Sequence, residues 1–293
     1  MSEEVEKELK KIPGLSWLIK QAKKIILPGL EGLSLYDLWE IYSVGIIKGT
    51  FSTRAGSIAF SFFMAIFPFL LFILNLIPYV WFIDDFQLEV LAFMDTLLPP
   101  QTSEFFNEIF ADIVNNPRGG LLSITFILSI FLMTNGINAI FTGFEFSYHT
   151  TINRSIIRQY LVALGTSIII ALMLLLSVIA FVYLTYIIED LKAIGIFSDN
   201  LYWAQIGRYL VFVLLIYNAV ATLYYFGTKE GRNSRYFSVG AFFTTLLIML
   251  TTFLFSIYIE NFSTYNKLYG SIGALLILMV YIWINANILL LGF

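Results

Sequence analysis

No cysteine occurs in the 293-residue sequence, and histidine occurs once, as His149. Disulfides, cysteine-ligated zinc and iron–sulfur clusters are thereby excluded, as is any metal site needing two histidines. The missing cysteines say nothing about compartment. Charge is scarce too: 13% of residues are Asp, Glu, Lys or Arg, against about 25% in soluble domains. Seventeen bases and twenty acids leave a net charge of −3, too balanced for the basic footprint of a nucleic-acid-binding domain. No Walker loop, G-x-S-x-G elbow, H-E-x-x-H or paired-carboxylate arrangement is present. An enzyme would have to work with Glu145, His149 and Arg154 at one short loop, so no catalytic residue, cofactor or metal is expected. What fills the chain instead is apolar: 59% hydrophobic residues, with 29 Phe, 17 Tyr and 5 Trp. Neither a soluble enzyme nor a disordered chain fits that composition.

Read between charges, the apolar residues fall into six runs: Ala55–Ile83, Gly119–Phe144, Gln159–Ile188, Tyr209–Thr228, Tyr236–Ile259 and Leu268–Phe293. Each meets the roughly 20 residues a helix needs to cross hydrocarbon. Open sheets cannot span lipid, and the runs do not alternate as barrel strands do. The expected fold is an all-α membrane protein, a six-transmembrane-helix bundle over 55–293 behind a cytoplasmic leader, 1–54. The first run would extend about 43 Å as a helix, so tilt or a kink must absorb the excess. Pro68 and Pro78 are the expected places for a kink and an early finish. With the N-terminus inside, 13 of the 17 bases fall on inside segments, which predicts both termini cytoplasmic. No signal-peptide pattern precedes the first run.

Two segments outside the runs carry amphipathic patterns. In the leader, Ile12, Leu15, Trp17, Leu18, Ile19, Ile25 and Ile26 sit among Lys10, Lys11, Lys20, Lys23 and Lys24, which suits a helix lying on an anionic leaflet. Ser34 is placed to cap a second short helix, 35–48. Between the first two runs, 84–118 holds seven acids and one base. There Ser103 can cap a helix presenting Phe105, Phe106, Ile109, Phe110 and Ile113, with 87–98 as its companion and Pro99-Pro100 as the break. An acidic extracytoplasmic helical hairpin is expected, most simply a folded cap over span ends.

Within the runs no Asp, Glu, Lys or Arg lies near a midpoint, which argues against a proton-coupled carrier and against a charged channel ring. Uncharged polar residues instead form stripes. On an ideal helix Ser57, Ser61, Pro68 and Asn75 share about 40° of arc; Asn135, Asn138, Thr142 and Glu145 share about 80°. Asn218, Thr222, Tyr225 and Lys229 share about 60°, Gly240, Thr244, Thr251 and Tyr258 about 40°, and Ser271 and Asn285 about 40°, with Leu278 between them and Asn287 on the far side. Such stripes should face one another, because an unsatisfied amide in hydrocarbon costs several kcal/mol. They either pack helices closely or line a hydrated groove, and both readings stand at this point.

Three segments carry a resemblance. Arg54-Ala55-Gly56-Ser57-Ile58-Ala59-Phe60-Ser61-Phe62-Phe63, running to Ile66-Phe67-Pro68, resembles the first-span signature of the YihY/virulence factor BrkB family. Leu268-Tyr269-Gly270-Ser271-Ile272-Gly273-Ala274, followed by Leu290-Leu291-Gly292, resembles its last-span signature. Asn135-Gly136-Ile137-Asn138-Ala139-Ile140 through Phe146-Ser147-Tyr148 resembles its second-span exit, and the likeness covers about 35–293. Members once carried the label ribonuclease BN, which the lack of a histidine cluster here does not support. The resemblance implies a bacterial inner-membrane protein linked to envelope integrity and to lipid or glycolipid movement. Phe60 and Phe62 stand where tyrosines are common, and Gly292-Phe293 closes the sequence where the family continues into an acidic tail, an ending expected of a truncation.

The expectation is a protein that moves or binds a lipid-like amphiphile along a groove of Arg54, Ser57, Ser61, Pro68, Asn75, Asn135, Asn138, Glu145, Asn218, Gly270 and Asn285. Arg54, Arg154 and Arg158 would attract an anionic headgroup. Membrane lipids are the expected partners, nucleic acid is not, and homo-oligomerisation stays open. The competing expectation is a non-transporting envelope scaffold or assembly factor with a solid interior.

Overall fold

Runs of apolar residues this long fold as helices because only a helix satisfies each backbone N–H and C=O within its own segment. The computed structural model describes residues 21–25, 34, 36–37, 50–76, 119–145, 154–193, 202–229, 235–261 and 271–293, and its long elements are all α-helices. These are α1 Thr50–Leu76, α2 Gly119–Glu145, α3 Ile156–Ala193, α4 Tyr202–Gly227, α5 Val239–Asn261 and α6 Ser271–Gly292. Five contain stretches long and apolar enough to cross a membrane: Ser123–Glu145, Ile156–Phe181, Tyr209–Gly227, Val239–Tyr258 and Leu275–Gly292. The extracytoplasmic hairpin and the amphipathic stretch around Trp17 lie outside the described residues.

The helices do not stop where the charges start. At 38 residues α3 extends about 57 Å, and it runs through Glu189, Asp190 and Lys192. Likewise α4 begins at Tyr202, about two turns before the expected Tyr209, and includes Arg208. Charge ends the lipid-compatible segment, whereas nothing in a Glu-Asp-Leu-Lys sequence ends a helix. Pro68 lies inside α1, which continues to Leu76.

The chain divides into two compact units, Met1–Ala55 and Gly56–Phe293. In the first, Ser34 caps as its sequence position predicts. Its Oγ donates to Asp37 Oδ2 at 2.7 Å and accepts from the Asp37 N–H at 3.2 Å, while the Ser34 N–H donates to the same carboxylate at 3.0 Å. These bonds hold the Asp37 carboxyl below its ordinary value of 3.8, with a smaller contribution from Lys23. Lys23 Nζ also lies 4.6 Å from the centre of the Tyr36 ring.

In the second unit α2 is the central helix. It packs on α3, α4 and α6, and its Ile137, Ile140, Phe141 and Phe144 are at most 1% exposed. Neighbours in sequence pack as neighbours in space, α3 on α4, α4 on α5 and α5 on α6. Outward faces carry Ile127, Leu161, Leu176 and Phe253, each more than 60% exposed, the expected dress of a lipid-facing surface.

Small residues set how closely the helices approach at one end of the bundle. A Cβ on Gly143 would stand 2.7 Å from Leu290, and one on Gly227 would run into the Phe144 ring. On Gly240 it would stand 2.5 Å from the Gly292 carbonyl oxygen, and on Gly292 it would overlap Thr244 Oγ1. Around this knot Phe293 stacks on Phe144 with centroids 4.1 Å apart and meets Tyr224 edge-on at 5.4 Å. Farther along α2, the Phe62 ring of α1 fills the notch at Gly136. Thus the carboxyl ends of α2, α4 and α6 meet the amino end of α5 at one level.

Candidate functional site

The polar stripe of α2 meets a polar partner face. That partner is the first turn of α3. Tyr160 donates its hydroxyl to Asn135 Oδ1 at 3.2 Å. Gln159, 7% exposed, reaches three groups. With one setting of its amide, Nε2 donates to Asn138 Oδ1 at 3.0 Å and to Thr142 Oγ1 at 2.9 Å. The reverse assignment of amide oxygen and nitrogen satisfies both atoms: Nε2 then donates to Glu145 Oε1 at 2.8 Å and the oxygen accepts from Thr142 at 2.9 Å. At the end of the row the Arg154 backbone N–H donates to Glu145 Oε1 at 3.1 Å. Asn135, Asn138, Thr142 and Glu145 therefore form one seam, from near the middle of the Ser123–Glu145 stretch to its end.

Arg154, expected to attract headgroups, is 9% exposed and held by the protein itself. Its Nη1 donates to the Phe226 carbonyl at 2.6 Å and to that of Gly227 at 3.4 Å, and its Nη2 donates to that of Thr228 at 2.6 Å. The last turn of a helix leaves carbonyls without intrahelical donors and carries partial negative charge. A guanidinium fork satisfies both needs, so Arg154 ties the start of α3 to the end of α4.

Beside it opens a cavity of about 440 Å³ lined by Arg154, Arg158, Val162 and Lys229. Arg158 is exposed and Lys229 half-buried. Among the described residues neither makes a hydrogen bond or ion pair.

In the other helices some polar groups bond back along their own helix and others bridge to a neighbouring element. Asn218, Asn285 and Asn287 each donate their amide to the carbonyl four residues back, at 2.8, 2.9 and 2.8 Å. Ser61 does the same with Ser57 at 3.0 Å. Thr222 shares a hydrogen with Tyr236 at 2.8 Å, and Tyr236 donates to the Asn218 carbonyl at 3.2 Å. Tyr224 links α4, α5 and α6, sharing a hydrogen with Thr244 at 2.6 Å and donating to the Leu289 carbonyl at 2.9 Å. Thr252 and Tyr281 pair at 2.7 Å. The expected convergence of all stripes does not occur: Ser57 and Tyr258 are exposed, whereas Thr244, Leu278 and Pro68 are buried. A single stripe spans more turns than one neighbouring helix covers, so its ends part company. Asn285 keeps one exception, a buried Oδ1 without a hydrogen-bond partner among the described residues. Asn75 lies in α1 with its side chain outside the described set, Gly270 lies outside it altogether, and half-buried Arg54 belongs to the first unit.

The family model for virulence factor BrkB matches residues 45–293. The chain belongs to that family. As a BrkB-family protein it is 28% identical over 246 residues to a protein named as ribonuclease-like, YfkH of Bacillus subtilis strain 168, covering 82% of this chain and 86% of that one. It is 21% identical over 245 residues to a UPF0761 membrane protein of Coxiella burnetii, covering 82% and 84%. No solved structure matches it. This BrkB-family chain is thus a membrane protein with several membrane-crossing helices. Reasoning from sequence missed Gln159 and Tyr160 as site residues, because both sit at the edge of a run and were counted into it. Lys229 was legible as the end of the α4 stripe.

Proposed function

We propose that this chain binds and translocates a lipid-like amphiphile for envelope homeostasis, as a six-span protein of the bacterial inner membrane with both termini cytoplasmic. It does so without catalysing a covalent reaction. The observation that carries the reading is the seam from Asn135 to Glu145: uncharged hydrogen-bonding groups along half the membrane depth, ending beside a cation-lined cavity. Bilayer-depth polar groups offer a passing headgroup substitutes for its hydration. The 13 of 17 bases on inside segments support the orientation. In this reading the ends of α2, α4 and α6 face the cytoplasm, and so does the cavity.

A second reading, a non-transporting scaffold, draws on the self-bonded amides and the glycine knot of α4–α6. A leaflet-exchange assay in reconstituted vesicles separates them. Translocation predicts slower exchange with Asn138→Leu and with Asn285→Leu; exchange unchanged by both removes the path.

A further inference from the structure

Three cations face one 440 Å³ space: Arg154, Arg158 and Lys229. Like charges gathered this closely repel, and α3 aggravates the conflict. Arg158 stands in the first turn of α3, a turn with no acidic residue, where the helix dipole disfavours a cation. Among the described residues the cavity lining holds no carboxylate, and Glu145, at the end of α2, is engaged by the Arg154 N–H and within reach of Gln159. Arg154 is fixed by the α4 carbonyls and supplies charge from a rigid wall. Arg158 and Lys229 make no hydrogen bond or ion pair among the described residues, so their donors are available to an occupant. An arginine fork and a lysine ammonium around a small cavity match the several oxygens of a phosphate group.

We infer that this cavity is a binding site for a phosphate-bearing anion, held by Arg158 and Lys229 against the field of Arg154. The source favoured by the surroundings is a lipid headgroup, because Val162 forms the apolar wall and Ile156, Ile157 and Leu161 beside it are 88%, 76% and 61% exposed. Acyl chains would lie along the exposed apolar surface of the first turns of α3 while the phosphate sits among the cations. This deepens the amphiphile reading and rests on it for the source of the phosphate.

The test measures binding to the full chain purified in a maltoside detergent. The probes are short-chain phosphatidylglycerol, diacylglycerol of the same chain length, and soluble glycerol 3-phosphate. The variants are Arg158→Gln, Lys229→Gln and, as a control just before the amino end of α5 and outside the lining, Arg235→Gln. Phosphatidylglycerol should bind at least roughly tenfold more tightly than diacylglycerol, and each of the first two variants should weaken it roughly tenfold. Arg235→Gln should bind as the unaltered chain does. Equal binding of diacylglycerol, loss with Arg235→Gln as large as with the other two, or full affinity in both lining variants overturns the site. Competition by glycerol 3-phosphate as strong as by the lipid keeps the phosphate site and removes the amphiphile as its source. Phosphatidylglycerol binding that depends on Arg158 and Lys229 without leaflet exchange keeps the site and removes translocation.

Discussion

Replacing Arg154 by methionine should weaken the bundle more than any other single loss of charge among the described residues of this face. Methionine keeps the apolar length of the side chain and removes every donor. The carbonyls of Phe226, Gly227 and Thr228 then lose the guanidinium that serves them. Hydrogen bonds from a charged donor contribute about 1.5–3 kcal/mol each, but three bonds from one rigid fork are not additive, and water from the adjoining cavity recovers part. The net loss should be about 3 kcal/mol, within the range for removing one partner of a buried charged cluster. For a body of this size that is roughly 6–12 °C in midpoint. Thermal unfolding of the detergent-solubilised full chain, followed by tryptophan fluorescence at a fixed scan rate, reads it directly. Arg154→Lys keeps the charge at the α4 terminus but reaches fewer carbonyls, and should fall between. A methionine variant that melts with the unaltered protein would refute the carbonyl tie as a source of stability.

Other substitutions test the knot and the cap. Gly240→Ala and Gly292→Ala should each destabilise by about 1–3 kcal/mol in the same melt, because one Cβ meets backbone and the other a buried hydroxyl pair, whereas Gly165→Ala, with open space around it, should not. Tyr224→Phe should cost about 1 kcal/mol, and combined with Gly292→Ala the losses should be less than additive, since the new Cβ would already displace the Tyr224–Thr244 pair. Asp37 should titrate below 3.8 in a site-resolved carbon NMR titration of the full chain. Its carboxylate therefore contributes to the cap above the unfolded value and loses that contribution as pH falls through the lowered folded one; Ser34→Ala should return it to the ordinary value.

The helices were legible because one physical quantity, apolar length, controls both membrane crossing and the pattern of charges. Their ends were not, since the helix propensities of Glu189, Asp190 and Lys192 carry α3 past the point where lipid stops. Periodicity also showed which residues share a face. It could not show whether an amide on that face reaches across or back, and Asn218 and Asn138 took opposite courses from equivalent positions in their stripes. The difference lies in the neighbour: Asn138 meets Gln159, a polar residue at a run's edge, whereas Asn218 donates back to Leu214. Arg154 illustrates the larger limit. Its partners lie 72 to 74 residues away, a separation at which spacing carries no information.

The two halves of the polar content differ in what they can do next. At the α4–α6 knot, glycines bring backbone against backbone and Tyr224 bridges three helices, so any rearrangement there must move whole helices. Along the α2–α3 seam the bonds are between side chains, and such bonds in membrane bundles contribute about 0.6 kcal/mol each. On the proposed function, exchanging about three such bonds for bonds to a headgroup would cost only about 2 kcal/mol before the new bonds form. On that reading, a rearrangement that admits an amphiphile would cost least at the side-chain bonds of the seam and most at the glycine knot.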